Sequence, residues 1–116
     1  LPGSREMDGV PMIQRIVLQA AELIGQEYSR TDMGLKYIAS VLLISPAYLS
    51  RNFKRIKQYS VMQYITKCRM EHAWDLLSGG RLSIAAAAEK TGYQDAFYFS
   101  KCFKRYFGIS PSQVDR

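Results

Sequence analysis

Ser45-Pro46-Ala47-Tyr48-Leu49-Ser50-Arg51-Asn52-Phe53-Lys54-Arg55 has an echo fifty positions on, in Asp95-Ala96-Phe97-Tyr98-Phe99-Ser100-Lys101-Cys102-Phe103-Lys104-Arg105. Both copies keep a tyrosine, an apolar residue, a serine, a base, one variable position and then Phe-Lys-Arg, in that order. A match this long without a gap marks an internal repeat, and a repeat defines the unit from which a fold is built. The chain therefore reads as two copies of one unit.

Each copy starts with helix-capping chemistry. The Ser45 hydroxyl can accept from the first-turn backbone, and Pro46 takes the first helical position, where its missing N–H costs nothing. Asp95 stands at the equivalent cap, and its helix runs to about Phe107, stopped by Gly108 with Pro111 close behind. At about 100° per residue, Leu49, Asn52, Phe53 and Ile56 share one sector of the first helix, with Ala47, Ser50, Arg51 and Lys54 opposite. The same rotation buries Phe99, Cys102, Phe103 and Tyr106 in the second and presents Phe97, Ser100, Lys101 and Lys104.

Outward from each copy, a short apolar stripe precedes the capped helix. Leu35, Ile38, Ala39 and Leu42 predict one short helix, followed by a turn at Leu43-Ile44. Ser83 caps another through Ala85 to Ala88, followed by Thr91-Gly92-Tyr93. Short helix, tight turn, capped helix is the helix-turn-helix unit, here over residues 34–57 and 83–107. Ala39 lies ten residues before Leu49 but Ala88 eleven before Phe99, so the second turn is one residue longer. Gly92 is expected to supply the backbone freedom that the extra residue needs. Between the units, Val61 to Ser78 places Met62, Ile65, Arg69, Ala73 and Leu76-Leu77 at helical spacing, a rod of roughly 27 Å ended by Gly79-Gly80. Arg69 falls on its apolar side, its head expected to find a carbonyl or an acid such as Glu71 or Asp75. Upstream, Ile13, Ile16, Val17, Ala20, Ile24 and Tyr28 form one stripe over Met12 to Tyr28. No strand pattern appears, so the fold class is all-α.

The charge is unevenly placed. Residues 1–35 carry three bases and five acids (−2), residues 36–70 seven bases and no acid (+7), and residues 71–116 six bases and five acids (+1), giving +6 in all. A single-signed concentration around the first copy points to a polyanion. Major-groove chemistry gives each outward residue a role. The Arg51 fork can pair with guanine O6 and N7, and Lys101 can reach the same edge without fixed bidentate geometry. Ser50 and Ser100 allow close approach, and Ala47 and Phe97 can pack on thymine methyl groups. Ser45, Lys54, Arg55, Lys104 and Arg105 suit phosphates, which position the protein without carrying sequence information. For Phe97, local packing and a protein partner stay open beside thymine contact. Tyr48 and Tyr98, at the edge of both faces, fit packing against the preceding helix better than a phosphate contact.

Other chemistries find little support. Cys68 and Cys102 form no C-x-x-C pair, and the single histidine, His72, has no partners for a metal site, so buried or half-buried thiols of a reducing cytoplasm are expected. No enzyme, cofactor or metal is expected, since there are no paired carboxylates, no phosphate loop and no Cys/His constellation. No run approaches a membrane span and no signal-peptide pattern opens the chain. Trp74 is expected to pack. Leu1-Pro2-Gly3-Ser4 reads as a cloning remnant.

Over residues 12–113 the chain resembles the AraC/XylS-type transcription regulators. The resemblance is carried by Ile38-Ala39 with Ser45–Arg55, by Tyr64-Ile65 with Arg69, Ala73 and Leu76-Leu77, by Thr91-Gly92-Tyr93-Gln94-Asp95 with Tyr98–Arg105, and by Gly108-Ile109-Ser110-Pro111. It implies a seven-helix domain whose long fourth helix holds two helix-turn-helix subdomains, so that both recognition helices enter successive major grooves of double-stranded DNA. The base-contacting positions it implies are Ala47, Ser50, Arg51, Phe97, Ser100 and Lys101. The map is a tail over residues 1–11, a first subdomain over 12–60, a linker helix over 61–78 and a second subdomain over 79–116. The resemblance also implies a cytoplasmic regulator whose effector or receiver domain precedes this module, the receiver-fused response-regulator subgroup being the nearest match. A rival module docking RNA polymerase, with incidental DNA affinity, would use Phe97, Leu43 and the basic face. Two departures stand out: Gln58 replaces the glycine usual after the first recognition helix, and Val114-Asp115-Arg116 replaces the family's closing Tyr-Arg.

Overall fold

Capping residues and apolar stripes set where the chain turns. In a computed structural model, which describes residues 9–114, six α-helices follow in order: α1 Met12–Glu27, α2 Leu35–Leu42, α3 Pro46–Lys57, α4 Val61–Leu77, α5 Ile84–Lys90 and α6 Ala96–Phe107. Leu1–Ser4, expected to be a remnant, and the Asp115-Arg116 ending lie outside the described residues. Among these residues no strand occurs. The expected seventh helix is a single 3₁₀ turn, Pro111–Gln113, although Val114 behind it is buried. Proline at the start of that turn and the capping-box contacts of Ser110 with Gln113 hold it in place without any longer helix.

Two apolar clusters form the core. In the first, Ile16, Val17, Ala20 and Ile24 of α1 meet Ile38 and Ala39 of α2, Leu49 and Phe53 of α3, and Val61 and Ile65 of α4. In the second, Met70, Ala73 and Leu77 of α4 meet Ala87 and Ala88 of α5, Phe99 and Phe103 of α6, and Val114. The N-terminal half of α4 thus belongs to one cluster and the C-terminal half to the other. A reciprocal capping box starts this helix: Ser60 Oγ accepts from Gln63 N–H at 3.0 Å, and Gln63 Oε1 accepts from Ser60 N–H at 2.7 Å.

Two faces differ from the projection. Met62 is exposed and Met70 takes the core position on α4. On α6, Tyr106 is exposed and Cys102 half-buried, because the packed ridge runs Phe99, Phe103, Phe107 at intervals of four. Trp74 packs as expected, its ring 6.1 Å from Phe103 and 4.8 Å from Phe107.

The two turns are built alike. Ile44 N–H donates to the Ala39 carbonyl at 3.0 Å, and Tyr93 N–H to the Ala88 carbonyl at 2.9 Å. Leu43 and Gly92 hold the same left-handed position, with φ of 59° and 97°. The extra residue of the second turn is therefore Gln94, beyond the left-handed position, and Gly92 does not serve to accommodate it. Gly92 has a different constraint: a Cβ there would lie 3.0 Å from Arg69 Nη2 and 3.1 Å from the Ser29 carbonyl oxygen.

Helices α3 and α6 also end alike. Gln58 and Gly108 are both left-handed, φ 68° and 82°, and their N–H groups donate to the Lys54 and Lys104 carbonyls at 2.9 and 2.7 Å. Gln58 thus reproduces the geometry that glycine adopts freely, while its Nε2 donates to the Arg55 carbonyl at 2.9 Å.

Candidate nucleic-acid interface

Helices α3 and α6 are both anchored by their apolar side and pinned at their start. Ser45 Oγ accepts from Tyr48 N–H at 3.1 Å, and Asp95 Oδ1 from Phe97 N–H at 2.8 Å. On α3, Asn52 is buried and its Nδ2 donates to the Tyr48 carbonyl at 2.9 Å, which satisfies the one polar group on that inner face.

The opposite faces are open. Ala47, Ser50, Arg51, Lys54 and Arg55 are exposed on α3, as are Phe97, Lys101, Lys104 and Arg105 on α6, with Ser100 half-buried and Ser45 exposed at its cap. The ion pairs among the described residues, Arg30–Glu27, Arg30–Asp32 and Lys67–Glu71, all lie off these faces. Among the described residues, the bases of α3 and α6 therefore point to solvent without a carboxylate partner, as ligands for an anion must.

Phe97 is 84% exposed, so local packing does not account for it. Tyr48 is half-buried against the first cluster, as expected. Tyr98 is not its equivalent: it is 57% exposed, its ring tilted 6.2 Å from Tyr93. A hydrogen bond with Cys102 raises the Tyr98 pKa. Burial pushes Tyr93 up to about 12, so both phenols stay protonated near neutrality.

Ser110 is not among the residues expected at the outward faces. It lines an open groove with Ser100, Lys101, Lys104 and Arg105, and its hydroxyl lies 3.0 Å from that of Ser112. In sequence, Gly108-Ile109-Ser110-Pro111 signals only a helix stop. Arg69 lies on the inner side of α4, and of its two expected kinds of partner it takes carbonyls rather than an acid. Its Nε donates to the Tyr28 carbonyl at 2.8 Å and its Nη2 to the Arg30 carbonyl at 2.7 Å. His72 stacks on Tyr28, ring centroids 4.0 Å apart. No cluster of metal-ligating side chains occurs among the described residues.

A helix-turn-helix domain model matches residues 38–116. The chain belongs to the AraC-type transcription regulators, as their helix-turn-helix DNA-binding domain. This AraC-type domain is 36% identical over 97 residues to the Msm operon regulatory protein of Streptococcus mutans, a match covering 84% of this chain and 34% of that one. It spans about a third of that relative's length. The C-terminal domain of AraT, a response regulator from Geobacillus stearothermophilus, superposes with a TM-score of 0.85 at 38% identity, over 90% of this chain and 86% of that one. The DNA-binding domain of AdpA, solved in complex with a target DNA, shares the fold with a TM-score of 0.69 at 20% identity, over 86% of each chain. No helix among the described residues is long and apolar enough to cross a membrane.

Proposed function

We propose that this AraC-type domain recognises specific double-stranded DNA by placing α3 and α6 in successive major grooves on one face of the duplex. The observation that carries this reading is the repetition of one outward set, small or apolar residue, Ser, base, Lys-Arg, on two helices with matching turns and matching ends. The described residues measure 47 × 30 × 22 Å, long enough to reach across one helical turn of about 34 Å.

Ala47, Ser50 and Arg51 read bases from α3, and Phe97, Ser100 and Lys101 from α6. Lys54, Arg55, Lys104, Arg105 and the Ser45 cap hold phosphates, and Ser110 joins the groove beside the second set. Residues 12–60 and 79–116 act as two reading units and residues 61–78 as the rod between them. In the whole protein an effector or receiver domain precedes this module and governs it, in the cytoplasm; similarity to a response-regulator domain supports the receiver.

Selection of bound sites from random DNA tests the reading. Two boxes centred about 10–10.5 base pairs apart are expected. A single enriched box would leave one helix idle, and no enrichment would overturn the proposal.

A further inference from the structure

Arg69 sits on α4 between Ile65 of the first cluster and Met70 of the second, where an apolar residue would continue the stripe. Its guanidinium instead draws two distant segments onto α4. It donates to the carbonyls of Tyr28 and Arg30, just beyond the end of α1. The Tyr28 carbonyl, at the C-cap of α1, lacks an intrahelical donor and carries partial negative charge, so a cation held there is doubly favoured; the Arg30 carbonyl, in the turn beyond, accepts from both Arg69 and Met33 N–H. On its other side the guanidinium lies 5.2 Å from the ring centroid of Tyr93, and its Cζ is 3.1 Å from where a Gly92 Cβ would stand.

Both ends of this bridge are braced. The acceptor loop is held by the Arg30 side chain, which meets Asp32 at 2.9 and 3.1 Å and lies 4.1 Å from the Tyr37 ring centroid. Tyr37 donates in turn to Glu27 at 2.9 Å. Beside it Tyr28 stacks on His72, one turn along α4 from Arg69. At the far end, Gly92 and Tyr93 form the turn that aims α6, and the Tyr93 ring packs edge-on against Phe99 at 5.3 Å. A single side chain therefore ties the exit of α1, in the unit that carries α3, to the turn that directs α6.

We propose that Arg69 is a positioning residue that sets the angle between the two reading helices, and so fixes the separation between DNA boxes that the domain accepts. The part concerning DNA rests on the proposal that both helices read; the part concerning the angle does not. A planar fork with donors in two directions suits the task, whereas a lysine can hold one carbonyl as a point charge but cannot also present a flat face to Tyr93. Absence of a Cβ at Gly92 lets the turn approach close enough to be held.

The test has two arms. Spin labels on Ser50→Cys and Ser100→Cys, with Cys68 and Cys102 replaced by serine, report the distance between α3 and α6 in the free domain. A narrow distribution is expected with Arg69, a broad one for Arg69→Met and an intermediate one for Arg69→Lys. In parallel, affinity is measured for operators whose boxes are moved apart by one or two base pairs. With Arg69, misspacing should weaken binding by at least about tenfold, a loss within the range of one mismatched pair. In Arg69→Met that preference should flatten, with affinity for a single box retained. If Arg69→Met fails to fold, Tyr93→Leu, which leaves both carbonyl bonds in place, must broaden the distribution instead. An unchanged distance distribution would overturn the proposal whatever the DNA arm gives, and an unchanged spacing preference would overturn its second half. A broadened distribution alongside a parent domain indifferent to spacing would uphold the angle and overturn the two-helix reading.

Discussion

Helices α3 and α6 start from equivalent caps, end in equivalent left-handed residues and follow turns closed by the same hydrogen bonds, yet their surfaces differ. The first presents Arg51 beside the small Ala47, in the stretch of the chain that carries seven bases and no acid. The second presents Lys101 beside a phenyl group 84% exposed, behind a charged Asp95 cap. The backbone needed for docking a helix has been kept in both copies while the side chains facing outward have diverged. In the proposed function, the first unit is the chief reader and holds most of the electrostatic affinity. The second is an anchor whose selectivity rests on thymine contact and DNA shape.

The comparison is broken most forcefully in the core. Phe53→Ala and Phe103→Ala each remove a fully buried ring and should cost about 3–5 kcal/mol, read by denaturant unfolding. Hydrogen exchange should show the loss centred on α1–α3 for Phe53 and on α5–α6 for Phe103. Uniform loss of protection in both would mean that the two units do not open separately. The turns come next. Gly92→Ala should destabilise by about 1–3 kcal/mol, because its left-handed backbone resists a Cβ that would also press on Arg69 and the Ser29 carbonyl. Leu43→Gly at the equivalent position should be neutral or stabilising, since Leu43 is left-handed and 90% exposed.

Helix ends give a smaller contrast. Gln58→Gly should stabilise by about 0.5–1 kcal/mol, a left-handed strain of about 1–2 kcal/mol less the extra entropy of the unfolded chain. Gly108→Ala should cost about 1 kcal/mol by the same strain. Equal responses at the two sites would show that the Gln58 bond to the Arg55 carbonyl fully offsets its strain. Finally, Lys54→Ala and Lys104→Ala should each lower the slope of log affinity against log salt by about one unit while weakening all sequences alike. A smaller change for Lys104 would locate the phosphate grip in the first unit.

Much of this architecture is legible in the sequence, because the repeat, the caps and the apolar spacing are local signals that all agree. The outward faces follow from helical rotation alone. What was not legible depends on partners distant in sequence. Arg69 binds carbonyls 39 and 41 residues earlier, which no spacing rule along α4 can indicate. Tyr106 is left outside because Trp74 draws Phe107 into the ridge. Gly92 reads as turn freedom, yet Leu43 adopts the same left-handed backbone, and the need for glycine comes from Arg69 packed against it. Ser110 is hidden within a stop signal, and its place beside Lys101 arises only when the chain folds back after α6.

The central claim is that two helices read DNA at two places. Its most direct test is to measure binding of the parent domain, Arg51→Ala and Lys101→Ala to a selected operator substituted at each base pair in turn. Loss of the Arg51 fork should remove about 1–3 kcal/mol of discrimination at one pair in one box, and loss of Lys101 a smaller amount in the other, about one helical turn away. If both variants lost discrimination in the same box, or both weakened cognate and random DNA equally, the account of two reading helices would be contradicted.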